Sequence, residues 1–154
     1  MAPRAAGFTL IELIVVIIVL SILAAIALPR FVSMAREARI AKLEAGQGAI
    51  ATAAVLANSL SVTQGLAPNA SVVMEGTTIP MALSYPTPDA AGIFAAANLS
   101  TRDYRIISQP GDPLNSIGIA VAGGTDVNNC RFLYVTPTTQ GTPPTYPGIV
   151  LTGC

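Results

Sequence analysis

The sequence predicts an α+β chain: one long N-terminal helix, with an antiparallel β-sheet packed on its second half. Three observations carry that prediction. From Phe8 to Leu28 the only polar side chains are Thr9, Glu12 and Ser21. Past Pro29, apolar residues recur at helical spacing to about Leu60, as on a helix with one buried face. Beyond that, short β-prone stretches alternate with Gly- and Pro-bearing turns, the pattern of an antiparallel sheet. At 154 residues there is room for one domain with a core and little room for two.

Composition narrows the function classes. Eight basic and eight acidic residues cancel, so no electrostatic case exists for nucleic acid or for an anionic membrane surface. Apolar residues make up 52% and mean hydropathy is +0.62; the excess sits in the Phe8–Leu28 run. There is no His and no Trp, which removes the commonest general base and the commonest neutral metal ligand. No phosphate-binding loop, dinucleotide fingerprint, nucleophile triad or metal cluster stands in the sequence. The expectation is no catalytic residue, no metal and no cofactor.

The apolar run admits three readings. At about 1.5 Å per residue it spans roughly 30 Å, the hydrocarbon thickness of a bilayer, so it reads as a transmembrane helix. It also reads as a cleavable secretory signal, with Arg4 before it and Ala25-Ile26-Ala27 as a small-x-small site, although it is longer than the usual apolar core of such signals. A buried core helix is the third reading. The run Ile14-Val15-Val16-Ile17-Ile18-Val19 opposes it, because it is apolar on every face.

Glu12 bears on all three. A carboxylate inside an apolar helix costs on the order of 2–3 kcal/mol to insert into a membrane. Such a residue has a partner, snorkels to the interface or is protonated. Arg4 is the nearest cation in the chain and lies outside the run. A cut just before Phe8 would create an α-amino group close by. A cation on a neighbouring copy would then neutralise Glu12 in an apolar bundle.

Gly7-Phe8-Thr9-Leu10-Ile11-Glu12-Leu13, with a short basic leader before it and a long apolar stretch after it, resembles the N-terminus of type IV pilins and pseudopilins. The resemblance implies a leader over residues 1–7, a transmembrane and polymerisation helix over 8–29, and a pilin globular domain over 30–154. It implies cleavage after Gly7 by a prepilin peptidase, methylation of Phe8, and a docking role for Glu12. Pro29 stands where pilins carry a helix-kinking proline; its ring clashes with the preceding turn and removes a hydrogen bond. Arg30, Arg36, Arg39 and Lys42 follow the run while Arg4 alone precedes it, and by the positive-inside rule this would leave the C-terminal domain in the cytoplasm. The family places it outside the membrane instead.

In the second half of the helix Ile40, Leu43, Ile50, Ala54, Ala57 and Leu60 form the apolar stripe, with Gly46, Gly48, Ala49, Ala51 and Ala53 among them. Small residues suit close approach of backbones and equally reflect alanine's helix propensity. Ser61 to Ala70 reads as a loop. Val72–Met74 and Thr78–Leu83 read as a hairpin, with Pro80 pushing one strand to an edge. Thr87-Pro88-Asp89 reads as a cap opening a short helix through Ala97. Strands are expected at Tyr104–Ser108, Ile117–Ala122, Arg131–Val135 and Ile149–Leu151.

Cys130 and Cys154, the two cysteines, bracket the last two strand candidates. The pair fits a disulfide formed in an oxidising compartment; two free thiols in a cytosolic protein are the alternative. In pilins a C-terminal disulfide bounds a surface loop, and this pair resembles it. The run Tyr85-Pro86-Thr87-Pro88-Asp89-Ala90-Ala91-Gly92-Ile93, with Ala38-Arg39, is similar to the mannose-sensitive haemagglutinin (MSHA) type of pilin. Asp126, Asn128 and Asn129 offer oxygens to Ca²⁺, but an Asx-stabilised turn needs the same residues and the calcium-loop spacing is missing.

The resemblance therefore implies a structural subunit of a surface filament used for adhesion. It would be anchored in the inner membrane as a precursor and then displayed outside a Gram-negative-type cell. Its partners would be other copies of itself, the prepilin peptidase and the assembly machinery. A pseudopilin of a type II secretion or DNA-uptake system shares the same polymer chemistry, and a membrane-tethered binding domain is the alternative of a different class.

Overall fold

The computed structural model describes residues 8–124 and 126–154. They divide into two compact units, Met1–Glu37 and Ala38–Cys154, and the helix α1, Leu10–Thr63, contributes to both. In the first unit α1 is long and apolar enough to cross a membrane, and none of its most apolar stretch is buried. It stays helical through Pro29, whose missing N–H leaves the carbonyl four residues back without its helical donor.

In the second unit the inward face of α1 is Leu43, Gly46, Ile50, Ala53, Ala54, Ala57 and Ser61. That 3-4 spacing is the stripe that a helix lays on a sheet. It meets a three-stranded antiparallel sheet of β5 (Tyr104–Ile107), β6 (Ser116–Val121) and β7 (Arg131–Val135), in the order β5-β6-β7. Ile117, Ile119 and Val121 of β6 and Phe132 and Tyr134 of β7 join Leu43, Ile50, Ala53 and Ala54 in one core. β7 alternates buried and half-buried residues with period two, whereas β6 is buried along nearly its whole length. The face of β6 turned from the core carries Gly118 and Ala120, and the Arg131 guanidinium packs close to Gly118.

Two small hairpins complete the unit. β1 (Val72–Met74) pairs with β2 (Thr77–Ile79) across Glu75-Gly76, and β3 (Met81–Ala82) pairs with β4 (Tyr85–Pro86). Val72, Ile79 and Met81 bury against Ala57 in a second cluster. The expected Thr78–Leu83 strand is thus two strands broken at Pro80, which cannot donate to a ladder. The second turn, Leu83-Ser84, sits at φ 51° and 68° and is held by Ser84 N–H donating to Pro68 O and Asn58 Nδ2 donating to Ser84 O at 3.0 Å.

Three expectations are corrected. The short helix α2 (Ala90–Phe94) is a π-type turn capped by Asp89, whose Oδ1 accepts from Gly92 N–H at 2.7 Å. Thr87 does not cap it: its N–H and hydroxyl both go to Pro80 O, and its carbonyl accepts from Ile93 N–H at 2.9 Å. Gly92 breaks the helical dihedrals (φ −82°, ψ −109°), and a Cβ there would run into Thr87. Finally, Ile149–Leu151 is no strand. The tail meets β7 only through the bridges Arg131–Val150 and Val135–Thr145. Five steps of tail span four of β7, a bulge-like mismatch, and Pro147 between them cannot donate.

Gly46 fixes how closely β5 approaches α1. The Tyr104 ring lies over it, and the Tyr104 hydroxyl donates to Lys42 O at 2.8 Å. Burial raises the phenol above its ordinary range, opposed by Lys42, so the hydroxyl remains a donor. A Cβ at Gly46 would stand 2.6 Å from the ring. Gly46→Ala gains about 1 kcal/mol of helix propensity against roughly 1–3 kcal/mol of overpacking. We expect net destabilisation, read as a lowered Tm of the purified chain; a raised Tm would show that the ring is free to retreat.

A second prediction comes from the outer face of the sheet. Arg131 donates from both terminal nitrogens to Asp112, at 2.6 and 2.9 Å, and each side chain is 11% exposed. The Arg131 hydrogen bond, helped by Gln109 N–H and opposed by burial, holds the Asp112 carboxyl below its ordinary 3.8. A carboxyl with a depressed pKa stabilises the fold above its unfolded-state value and loses that contribution as pH falls through the folded value. Asp112→Asn should cost roughly 1.5–3 kcal/mol at neutral pH. It should also flatten the acid arm below about pH 4 relative to the unsubstituted chain. Parallel pH–stability curves would contradict this.

Candidate functional site

At the start of α1, Thr9 is the N-cap and Glu12 the third helical residue. The Glu12 N–H donates to Thr9 Oγ1 at 3.3 Å, and the Thr9 hydroxyl donates to Glu12 Oε2 at 3.4 Å. This is a variant of the capping box, with the cap hydroxyl, rather than the cap N–H, bound by the carboxylate. A carboxylate in the first turn also complements the positive end of the helix dipole. The sequence carries this signal as Thr-x-x-Glu, where the membrane cost of the carboxylate draws attention away from its local partner. Thr9 is therefore a contributor that sequence reasoning missed.

Phe8, at 76% exposure, and Glu12 stand at this same end of α1. Gly7 and the rest of the expected 1–7 leader lie outside the described residues. From Leu10 to Met34, the large apolar side chains of α1 are exposed on every face. The end of α1 thus presents one carboxylate, internally capped, inside an apolar surface that a single chain leaves uncovered.

Cys130 and Cys154 belong to the second unit, where they form a disulfide. Both are buried. The Cys154 carbonyl accepts from Arg39 Nε at 2.6 Å, so the bridged tail is tied to α1 as well as to β7. Asp126 spends its oxygens inside a 3-10 turn over Val127–Asn129: Oδ1 accepts from Asn128 N–H at 2.9 Å and Oδ2 from Asn129 Nδ2 at 2.7 Å. That is the Asx-stabilised turn. No group of three or more His, Cys, Asp or Glu residues is placed to hold a metal among the described residues.

Residues 3–28 match the family model described as the prokaryotic N-terminal methylation motif. Over 54 residues the chain is 48% identical to the type IV narrow pilus major component PilA5 of Thermus thermophilus. The N-terminal segment carries this motif and is similar to that of a type IV pilus component. The match covers 35% of this chain and 47% of that protein, so the chain spans about half the length of the relative it matches. No solved structure matches. Within the matched segment the capped Glu12 carboxylate lies about one helical turn from Phe8.

The bridge closes a separation of 24 residues, for which the chain-entropy model gives about 3–4 kcal/mol. The Cys130→Ser/Cys154→Ser chain should melt correspondingly lower, with faster proteolysis after Val135. Unchanged melting would show that the bridges to β7 and the Arg39 bond hold the tail unaided.

Proposed function

We propose that the chain is a structural subunit of a type IV pilus-like surface filament. The first part of α1 anchors it in the membrane until cleavage between Gly7 and Phe8 releases it for assembly. The observation that carries this reading is the capped Glu12 within an apolar helix surface that the single chain leaves exposed. Burying each Leu, Ile, Val or Phe of that surface is worth about 1.5–3 kcal/mol, so α1 belongs either in a bilayer or among copies of itself. The methylation motif over residues 3–28 and the similarity to a pilus component support the second destination.

Glu12 sets the register of that assembly. Residues 8 and 12 are separated by about 6 Å along the axis at 1.5 Å per residue. A neighbour shifted by roughly one turn brings its Phe8 amine to this carboxylate. Methylation leaves an amine cationic, as it does for lysine. A buried carboxylate facing a buried amine is strongly favoured over either alone. The bridged tail suits a second unit displayed in an oxidising compartment outside the membrane, where disulfides persist. The role is structural rather than catalytic, in keeping with the lack of histidine and the kinship with a pilus component.

Two measurements test this. Intact mass and N-terminal sequencing should find a mature chain beginning at Phe8 with one added methyl group; a start at Leu28 would restore the secretory-signal reading. Glu12→Gln keeps a residue competent for the capping box and removes the charge, so membrane levels should hold. Filament yield should fall more than a hundredfold, since an unpaired buried charge costs roughly 3–5 kcal/mol. Filaments at the unsubstituted level would reduce Glu12 to a helix cap.

A further inference from the structure

The second unit carries a groove and an edge strand whose features its own packing leaves unused. The groove, about 550 Å³, runs between α1 at Thr52 and Leu56, the β1–β2 hairpin at Met74 and Glu75, and the segment Ala95–Asn98. Its lining mixes apolar side chains with Thr52, Thr77 and Asn98 and contains a single charged side chain. Glu75 is that charge, exposed on the hairpin turn at φ 47°. Its carboxylate makes no ion pair among the described residues, where the salt bridges are Lys42–Asp103 and Arg131–Asp112.

β5 is an edge strand, with β6 on one side and no strand on the other among the described residues. Ile106 lies on the same face as Tyr104 but is 44% exposed, because the core runs out at the edge. Arg105 beside it is exposed and makes no ion pair among the described residues. Arg105 and Ile106 line one shallow hollow together with Phe94.

A polymer built by repeating one contact needs two different, complementary patches on each copy. Here one patch is a trough of mixed lining, floored by Leu56 and Met74, with a carboxylate outside the ion pairs above, and the other is an edge with exposed Ile106 and a guanidinium outside them. We propose that the β5 edge of one copy docks in this groove on a second copy, with Arg105 on Glu75 and Ile106 against Leu56 and Met74. The contact rests on the filament reading and adds a lateral joint between second units to the joint made by the N-terminal helices. Opposite charges fix register and exclude misaligned neighbours, and like charges in the same place repel.

The test is a charge swap in cells making the full-length chain, reading sheared filament mass against membrane-held subunit. Arg105→Glu and Glu75→Arg should each lower filament mass by about tenfold or more, with membrane levels unchanged. The double substitution, which restores opposite charges, should recover it to within a few-fold. Arg105→Cys with Glu75→Cys should give a ladder of covalent oligomers in sheared filaments that collapses under reductant, while either alone gives none. Single swaps that assemble normally, or a double swap no better than the worse single, would overturn the contact. So would single swaps that leave filaments intact and abolish only surface attachment, which would assign the edge to another partner. If a single swap lowers membrane levels, the cysteine ladder decides, and its absence overturns the contact. No filaments from the unsubstituted chain would instead sink the filament reading, and this joint with it.

Discussion

α1 can lie close against the strands because its inward face carries Gly46, Ala53 and Ala54 where larger side chains would hold the backbones apart. The spaces between them are filled from the other side by Tyr104, Ile119, Phe132 and Tyr134. Large residues on the sheet meeting small ones on the helix is the complementarity that gives interiors their density. The rest of the second unit is arranged around that seam. β6, central in the sheet, has no face left for water, so its outer side carries Gly118 and Ala120 under the Arg131–Asp112 clamp. The tail, too irregular to form a strand, is held by the disulfide, by two bridges to β7 and by Arg39.

The same helix answers to two solvents. Beyond Ala38 its stripe is one-sided and buried by its own chain, and from Leu10 to Leu28 its large apolar side chains are exposed on every face. A helix of the latter kind is stable only where something else supplies the apolar surroundings. Glu12 is the exception within it, and the box with Thr9 explains how a single chain tolerates the carboxylate. In the proposed assembly a cation on a neighbouring copy pairs with that carboxylate.

The helix, the first hairpin and the strands β5 to β7 were legible in the sequence because each has a period or a turn that local chemistry dictates. The pairing of Cys130 with Cys154 was expected from the oxidising-compartment rule and the pilin resemblance, with two free thiols as the alternative; the structure joins them. What was not legible depended on long-range partners. Thr87 has every local credential of a cap, yet Pro80 O takes its hydroxyl and Asp89 caps instead. β3 and β4 are two residues each, too short to show a period. Ile149–Leu151 has strand composition, but Pro147 and the extra residue break its register with β7. At the N-terminus the Thr-x-x-Glu pattern is local and readable, but the apolar run around Glu12 points to the membrane before it points to a cap. The groove beside Glu75 joins three distant segments, so no local pattern announces it.

As a proposed building unit, the chain would have its exposed N-terminal helix buried by other copies. Electron cryo-microscopy of filaments sheared from cells making the unsubstituted chain decides this. The expected result is a fibre whose subunit density fits residues 38–154 on the outside, with helices beginning at Phe8 bundled within. Filaments composed of a different chain, with this one remaining in the membrane as dispersed single copies, would contradict it.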